Sequence, residues 1–197
     1  MPYSREHKAA TRKRIVETAR ILFNRHGFEN VSIDNIMKEA GLTRGGFYNH
    51  FKNKEALYGE AVASFLNGRG ARWRSEAGVS EDSPTRDDAR LMILSYLSDE
   101  HLGDVDGQCP MIALPSDIAR AGPETQAAFE KLLAAMVWLF EQSLTNSSSK
   151  NEIRKDALSL AALSIGGMVL ARTIPKSELA NDVRRAARQT AENILSS

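Results

Sequence analysis

The chain has 197 residues, 26 Lys/Arg against 25 Asp/Glu, and one cysteine. That length can bury a substantial core, and the lone Cys109 excludes an intramolecular disulfide, which fits a reducing compartment. The net charge of +1 is unevenly spread: residues 1–60 hold 11 Lys/Arg against 7 Asp/Glu, and the remainder is slightly acidic. A basic N-terminal part on an acidic body points to one end that meets a polyanion.

The opening MPYSREHKAATRKR is polar and basic, unlike a signal peptide. The apolar stretch 157–171 is short for a membrane span and contains Ser159, Ser164, Gly166 and Gly167. The expectation is therefore a cytoplasmic protein with no membrane partner.

The pattern is helical throughout, with no alternating β-branched run. A first helix is predicted over 8–26, with Ile15, Ala19, Leu22, Phe23 and His26 on one face and Gly27 at its end. A second follows Ser32, a suitable N-cap, carries Ile36 and Met37 inward and stops at Gly41. A third, very short helix starts at Thr43. A fourth runs from about Asn53 to about residue 75. SEAGVSEDSPTRDD reads as a connection, and a fifth helix covers 85–101. GDVDGQCP breaks the chain before a sixth over 111–121. The seventh, 123–145, carries Phe129, Leu132, Leu133, Met136, Val137, Phe140 and Leu144 inward. TNSSSKN is a loop. The eighth covers 152–173, Pro175 breaks it, and the ninth spans 177–195 on a stripe of Leu179, Val183, Ala186, Thr190 and Ile194. The expected fold is all-α, with about nine helices.

The second and third helices, joined by Gly41-Leu42, form a helix-turn-helix. In that motif the second member lies in the DNA major groove with its N-terminal residues at the base edges. Gly45-Gly46 costs about 1 kcal/mol per residue in a helix, and allows close approach of backbone to phosphate in return. Phe47 and Phe51 at i and i+4 can face the core, which turns Arg44, Tyr48, Asn49 and His50 outward. Arg44 suits a bidentate contact to guanine, Asn49 a contact to adenine, and Tyr48 and His50 hydrogen bonds to phosphate. Thr43 can donate to a phosphate at the helix start, and Lys52 and Lys54 can neutralise backbone charge.

The stretch IVETARILFNRHGFENVSIDNIMKEAGLTRGGFYNHFKNKEAL resembles the tetracycline-repressor (TetR) family of dimeric transcriptional regulators. The resemblance implies an N-terminal three-helix helix-turn-helix domain, here 1–55, that binds a palindromic operator. It implies a C-terminal helical domain, here 56–197, that holds a small-molecule effector and the homodimer interface. By position, Thr43, Arg44, Gly45, Tyr48, Asn49, His50 and Lys54 match DNA-contacting places. Gly46 varies in the family, and Lys52 joins the set for its charge.

Beyond residue 60 the resemblance is looser. Gly166-Gly167 with nearby alanines and Ser164 forms a small-residue face suited to close helix approach. With the last helix it gives a candidate dimer interface of Leu160, Ser164, Gly167, Met168, Val183 and Ala187 across a two-fold axis. Trp73, Met92, Tyr96, Met111, Phe129 and Met136 are candidates for an apolar effector pocket. Cys109, before Pro110 at a helix start, is a candidate redox or electrophile sensor, an alternative mode of release from DNA. The four histidines lack metal-ligand spacing, and no HExxH, GxSxG, Walker or dinucleotide motif occurs. No enzyme, metal or cofactor is expected.

Overall fold

The structure, a computed structural model, describes residues 5–80, 82–144 and 149–196. The loop expected at 145–151 lies largely outside these residues. Within them the chain is helical and contains no strand. It divides into two compact units, Met1–Leu66 with Val105–Glu130, and Asn67–Asp104 with Lys131–Ser197.

The first unit opens with α1 (Arg5–His26), which buries Ile15, Val16, Ala19 and Phe23. Val16 and not His26 completes that face. Gly27 ends the helix at φ 75°, as its position predicted, and its N–H reaches the Phe23 carbonyl at 2.8 Å. In α2 (Ile33–Glu39), Ser32 and Asn35 form a reciprocal capping box, and Ile36 and Met37 are buried. Gly41 follows at φ 65°. Its N–H bonds the Lys38 carbonyl, and the Leu42 N–H bonds the Met37 carbonyl at 2.8 Å. This pair is a Schellman closure, which reverses the chain within two residues. A 3₁₀ helix, Arg44–Asn49, comes next, then α3 (Lys54–Asn67).

Three further helices differ from their predicted spans. The helix expected from 53 to 75 breaks at Gly68 (φ −110°, ψ −108°), which separates α3 from α4 (Arg69–Glu76). The one expected at 85–101 becomes α5 (Arg86–Tyr96) and α6 (Asp99–Gly103), because Ser98 caps a new start by accepting from the His101 N–H. The one expected at 111–121 becomes α7 (Pro110–Ala113) and α8 (Pro115–Ala119). Pro115 has no N–H to continue α7 but fits the first position of α8. α9 (Pro123–Ser143), α10 (Lys150–Thr173) and α11 (Glu178–Ser196) lie close to expectation.

In the first unit, residues 105–119 are fastened to α1 and the turn after it. Arg20 Nη1 donates to the Asp106 carbonyl at 2.6 Å, and Asn24 Nδ2 to the Gln108 carbonyl at 2.8 Å. The Phe28 N–H donates to Asp117 Oδ2 at 2.9 Å. Phe23, Phe28 and Tyr58 stack as one cluster with centroids 4.6–5.8 Å apart. Burial pushes the Tyr58 hydroxyl well above the usual tyrosine range.

In the second unit, α10 packs on α11 and buries Ala157, Leu160, Ala161, Ser164, Gly167, Met168 and Ala171. On α11 the buried residues are Ala180, Arg184, Ala187, Ala191 and Leu195. The stripe predicted for α11 is thus displaced by one position along its whole length. Ala187 lies against Gly167 of α10, where two short side chains let the helix axes approach. Among the described residues α10 is the one helix long and apolar enough to cross a membrane. Its apolar inner side is already committed to this packing.

Candidate nucleic-acid interface

The 3₁₀ segment carries the chemistry predicted for it on opposite sides. Phe47 is fully buried and Phe51 nearly so, with centroids 5.6 Å apart. Thr43, Arg44, Gly45, Tyr48 and Asn49 are exposed, Tyr48 to 59%. Lys52 is exposed just beyond, whereas Gly46, His50 and Lys54 are half-buried.

Individual side chains refine this. Thr43 occupies the N-cap position with extended backbone (φ −85°, ψ 147°), but its hydroxyl makes no capping bond. Thr43 therefore keeps its hydroxyl for an external acceptor. Arg44 Nη1 lies 2.8 Å from Asp34 Oδ2, both side chains well exposed. Such a pair contributes at most about 1 kcal/mol, so the guanidinium can leave it for a base edge. A side chain at Gly45 would meet nothing within 4 Å, and one at Gly46 would meet only Met37 Cε at 3.6 Å and Thr43 Oγ1 at 3.7 Å. The first glycine thus presents bare backbone to the outside. The second lies against the protein.

His50 has a buried Nδ1 with no hydrogen-bond partner. Burial, and then the charges of Lys8 and Arg12, push its imidazole below the ordinary range. Lys54 needs correction as a phosphate-facing cation. Its Nζ donates to the Phe28 carbonyl at 2.8 Å and the Val31 carbonyl at 3.1 Å, and lies 4.0 Å from the Phe28 ring centroid. One of its three hydrogens remains for an outside acceptor. The inward bonds explain a structural duty that charge alone did not reveal.

The other candidate sites fare differently. The structure brings Trp73 and Tyr96 together, edge to face at 5.8 Å, with His101 against both. Trp73 lines a cleft of about 530 Å³ with Arg69, Glu76, Leu94, Ser95 and His101, while Tyr96 lies buried behind it. Met92 and Met136 are buried in this second unit. Met111 and Phe129 belong to the first unit, so the six residues are not gathered into one pocket within either unit. Cys109 is 2% exposed at the start of α7, which shields its sulfur from solvent oxidants and electrophiles.

The interface candidates require the clearest correction. Leu160, Ser164, Gly167, Met168 and Ala187 are buried within the chain itself, and Val183 is half-buried. A Cβ on Gly167 would lie 2.9 Å from the Ala187 Cβ, so this glycine serves the α10–α11 contact. Gly166 points elsewhere, with nothing within 4 Å of its added Cβ. The outward sides carry Leu158, Ala162 and Leu170 on α10, and Leu179, Ala186 and Thr190 on α11. Leu170 is 55% exposed and Leu179 58%. Sequence periodicity picked out the α11 half of this stripe but missed the α10 half, because α10 is apolar or small on both sides. Among the described residues no cluster of three or more metal-ligating side chains forms.

A helix-turn-helix with polar and basic residues outside and phenylalanines inside defines a class of nucleic-acid-reading domain. Residues 15–61 match the family described as bacterial regulatory proteins, tetR family. The Transposon Tn10 TetC protein of Escherichia coli is 46% identical over 55 residues, 28% of either chain. HTH-type transcriptional regulator AcrR of Shigella flexneri is 39% identical over 57 residues, 29% of this chain and 26% of that one. HTH-type transcriptional repressor Rv1474c of Mycobacterium tuberculosis is 33% identical over 55 residues, 28% and 29% of the two chains. The similarity thus spans under a third of these relatives.

Fold similarity extends over nearly the whole chain. The reduced form of E. coli NemR superposes with a TM-score of 0.75 at 19% identity, over 93% of this chain and 96% of that one. SCO4454, a TetR-family transcriptional regulator from Streptomyces coelicolor, gives 0.72 at 22% identity over 100% and 96%. At such identities the likeness concerns the fold.

Proposed function

We propose that this protein is a DNA-binding transcriptional repressor that acts as a homodimer and is released from its operator by a small-molecule effector. The observation that carries the reading is the two-sided Arg44–Asn49 helix: Phe47 and Phe51 anchor it inside, and Thr43, Arg44, Tyr48 and Asn49 are exposed on a basic head. Two-sidedness of this kind is needed to press one helix into a major groove at fixed register.

In this reading residues 1–55 bind DNA, and 56–197 hold the effector and dimerise. Arg44 and Asn49 read bases, while Thr43, Tyr48, His50 and Lys52 contact phosphates. The backbone at Gly45 approaches the duplex most closely. A two-fold pairing of the outward α10–α11 stripe, through Leu158, Gly166, Leu170 and Leu179, presents two heads about 34 Å apart along one side of the duplex. The effector acts by binding more tightly to a conformer whose head spacing no longer fits successive grooves.

An electrophoretic shift assay with the DNA upstream of the protein's own gene tests this. A retarded band that is competed by unlabelled specific duplex, and weakened by one compound of a small-molecule panel, is expected. Indifference to all duplex DNA, with a single-chain mass by sedimentation, overturns the proposal.

A further inference from the structure

Arg12 lies on α1 within the basic N-terminal run, where sequence alone makes it one cation among several. Its side chain has three specific engagements inside the first unit. The guanidinium carbon lies 4.1 Å from the Phe51 ring centroid. Nη1 donates to the His50 carbonyl. Nε donates to Glu60 Oε1 at 3.0 Å, and Nη2 donates to Glu60 Oε2, a two-pronged grip on the carboxylate. His50 is the C-cap of the Arg44–Asn49 helix, Phe51 is one of its two ring anchors, and Glu60 is on α3. One planar group therefore joins α1, the end of the reading helix and α3.

The physics favours geometry over raw attraction. Both side chains of the Arg12–Glu60 pair are about two-fifths exposed, so water screens their Coulomb energy. A guanidinium held at both prongs and seated on a ring is nevertheless fixed in plane and position. The cation also satisfies a carbonyl at the C-terminal end of a helix too short to hold itself straight.

We propose that Arg12 is a positioning residue for the DNA-reading helix, itself held in place by Glu60. The inference rests on the DNA-binding reading above. It separates from an ordinary phosphate contact by a sign. Glu60→Gln removes a negative charge from the head, so charge alone tightens binding to every duplex. If Glu60 instead sets Arg12, the same isosteric change weakens binding to the preferred sequence.

The test uses the full-length chain and fluorescence anisotropy over a salt series. One duplex is selected from a randomised pool by the wild-type protein, and the other is a random sequence of equal length. Expected for Glu60→Gln and Arg12→Lys is a roughly tenfold loss on the selected duplex, the scale of a partly lost base contact. Affinity for the random duplex and the salt slope stay unchanged or rise slightly. Urea midpoints of both variants accompany the titrations. Equal or tighter binding of Glu60→Gln to the selected duplex overturns the latch alone. So does an Arg12→Lys or Arg12→Ala loss that is equal on both duplexes, or that tracks the loss of folded protein. A wild-type chain that enriches no duplex overturns the DNA-binding reading, and the latch with it.

Discussion

The Arg44–Asn49 helix and the α10–α11 pair are both short-range motifs that sequence can find, yet only the first could be oriented from sequence. In the reading helix the two sides differ in chemistry, with aromatic rings inside and hydrogen-bonding groups outside. In α10 both sides are small or apolar, and Gly166 and Gly167 are adjacent but opposite in role. The lesson is that a side is assigned by contrast. Where both sides could be buried, the neighbouring helix decides.

The largest expected effect attacks the side with contrast. Phe47→Ala removes a fully buried ring and lowers stability by about 3–5 kcal/mol. The midpoint of urea unfolding checks this, and a loss below 1 kcal/mol would mean that the ring anchors little.

The second sharpens the side without contrast. Gly167→Ala places a Cβ against Ala187 and costs about 1–3 kcal/mol through overpacking, despite the better helix propensity of alanine. On the proposed two-fold pairing, Gly166→Leu leaves the folded chain intact and shifts the sedimenting species towards monomer. If the two glycines behave alike, the assignment of inner and outer sides of α10 is wrong.

A third contrast lies within the head. Arg44→Ala relaxes base preference by about 1–3 kcal/mol, whereas Lys52→Ala weakens all sequences evenly and lowers the salt slope by about one. Binding titrations on matched and mismatched duplexes at several salt concentrations distinguish them.

The smallest effect is a pH dependence. Burial is the main cause that pushes the His101 imidazole below its ordinary 6.5, against the Tyr96 carbonyl and Asp104, while Arg69 adds to the depression. A depressed folded-state value for histidine means that the unfolded chain takes up protons first as pH falls. Stability is therefore fully present above about pH 6.5 and declines below it, until the folded-state value is passed. His50 contributes in the same direction. Urea midpoints at about pH 7 and about pH 5 should differ less in His101→Gln than in the wild type. An unchanged difference would remove His101 as a contributor.

Much of the first unit was legible because its signals are local. Gly27 and Gly41 need positive φ, Ser32 needs a free N–H three residues on, and Phe47 and Phe51 share a helical side. The break at Gly68 and the split at Leu114-Pro115 are also written in breaker residues, although the helical pattern alone predicts single helices there. The burial of the Lys54 ammonium between two carbonyls could not be read, since both acceptors lie more than twenty residues earlier in the chain.

The sequence by itself determined helical identity, the turn between α2 and the reading helix, and which residue types stand on that helix's outer side. Those follow from backbone preferences and amphipathic period, which act over a few residues. Only the tertiary structure decided the partner side of α10, the one-residue displacement of the α11 stripe and the three-way engagement of Arg12. Those depend on which distant surfaces meet, and periodicity within one helix carries no information about its neighbour.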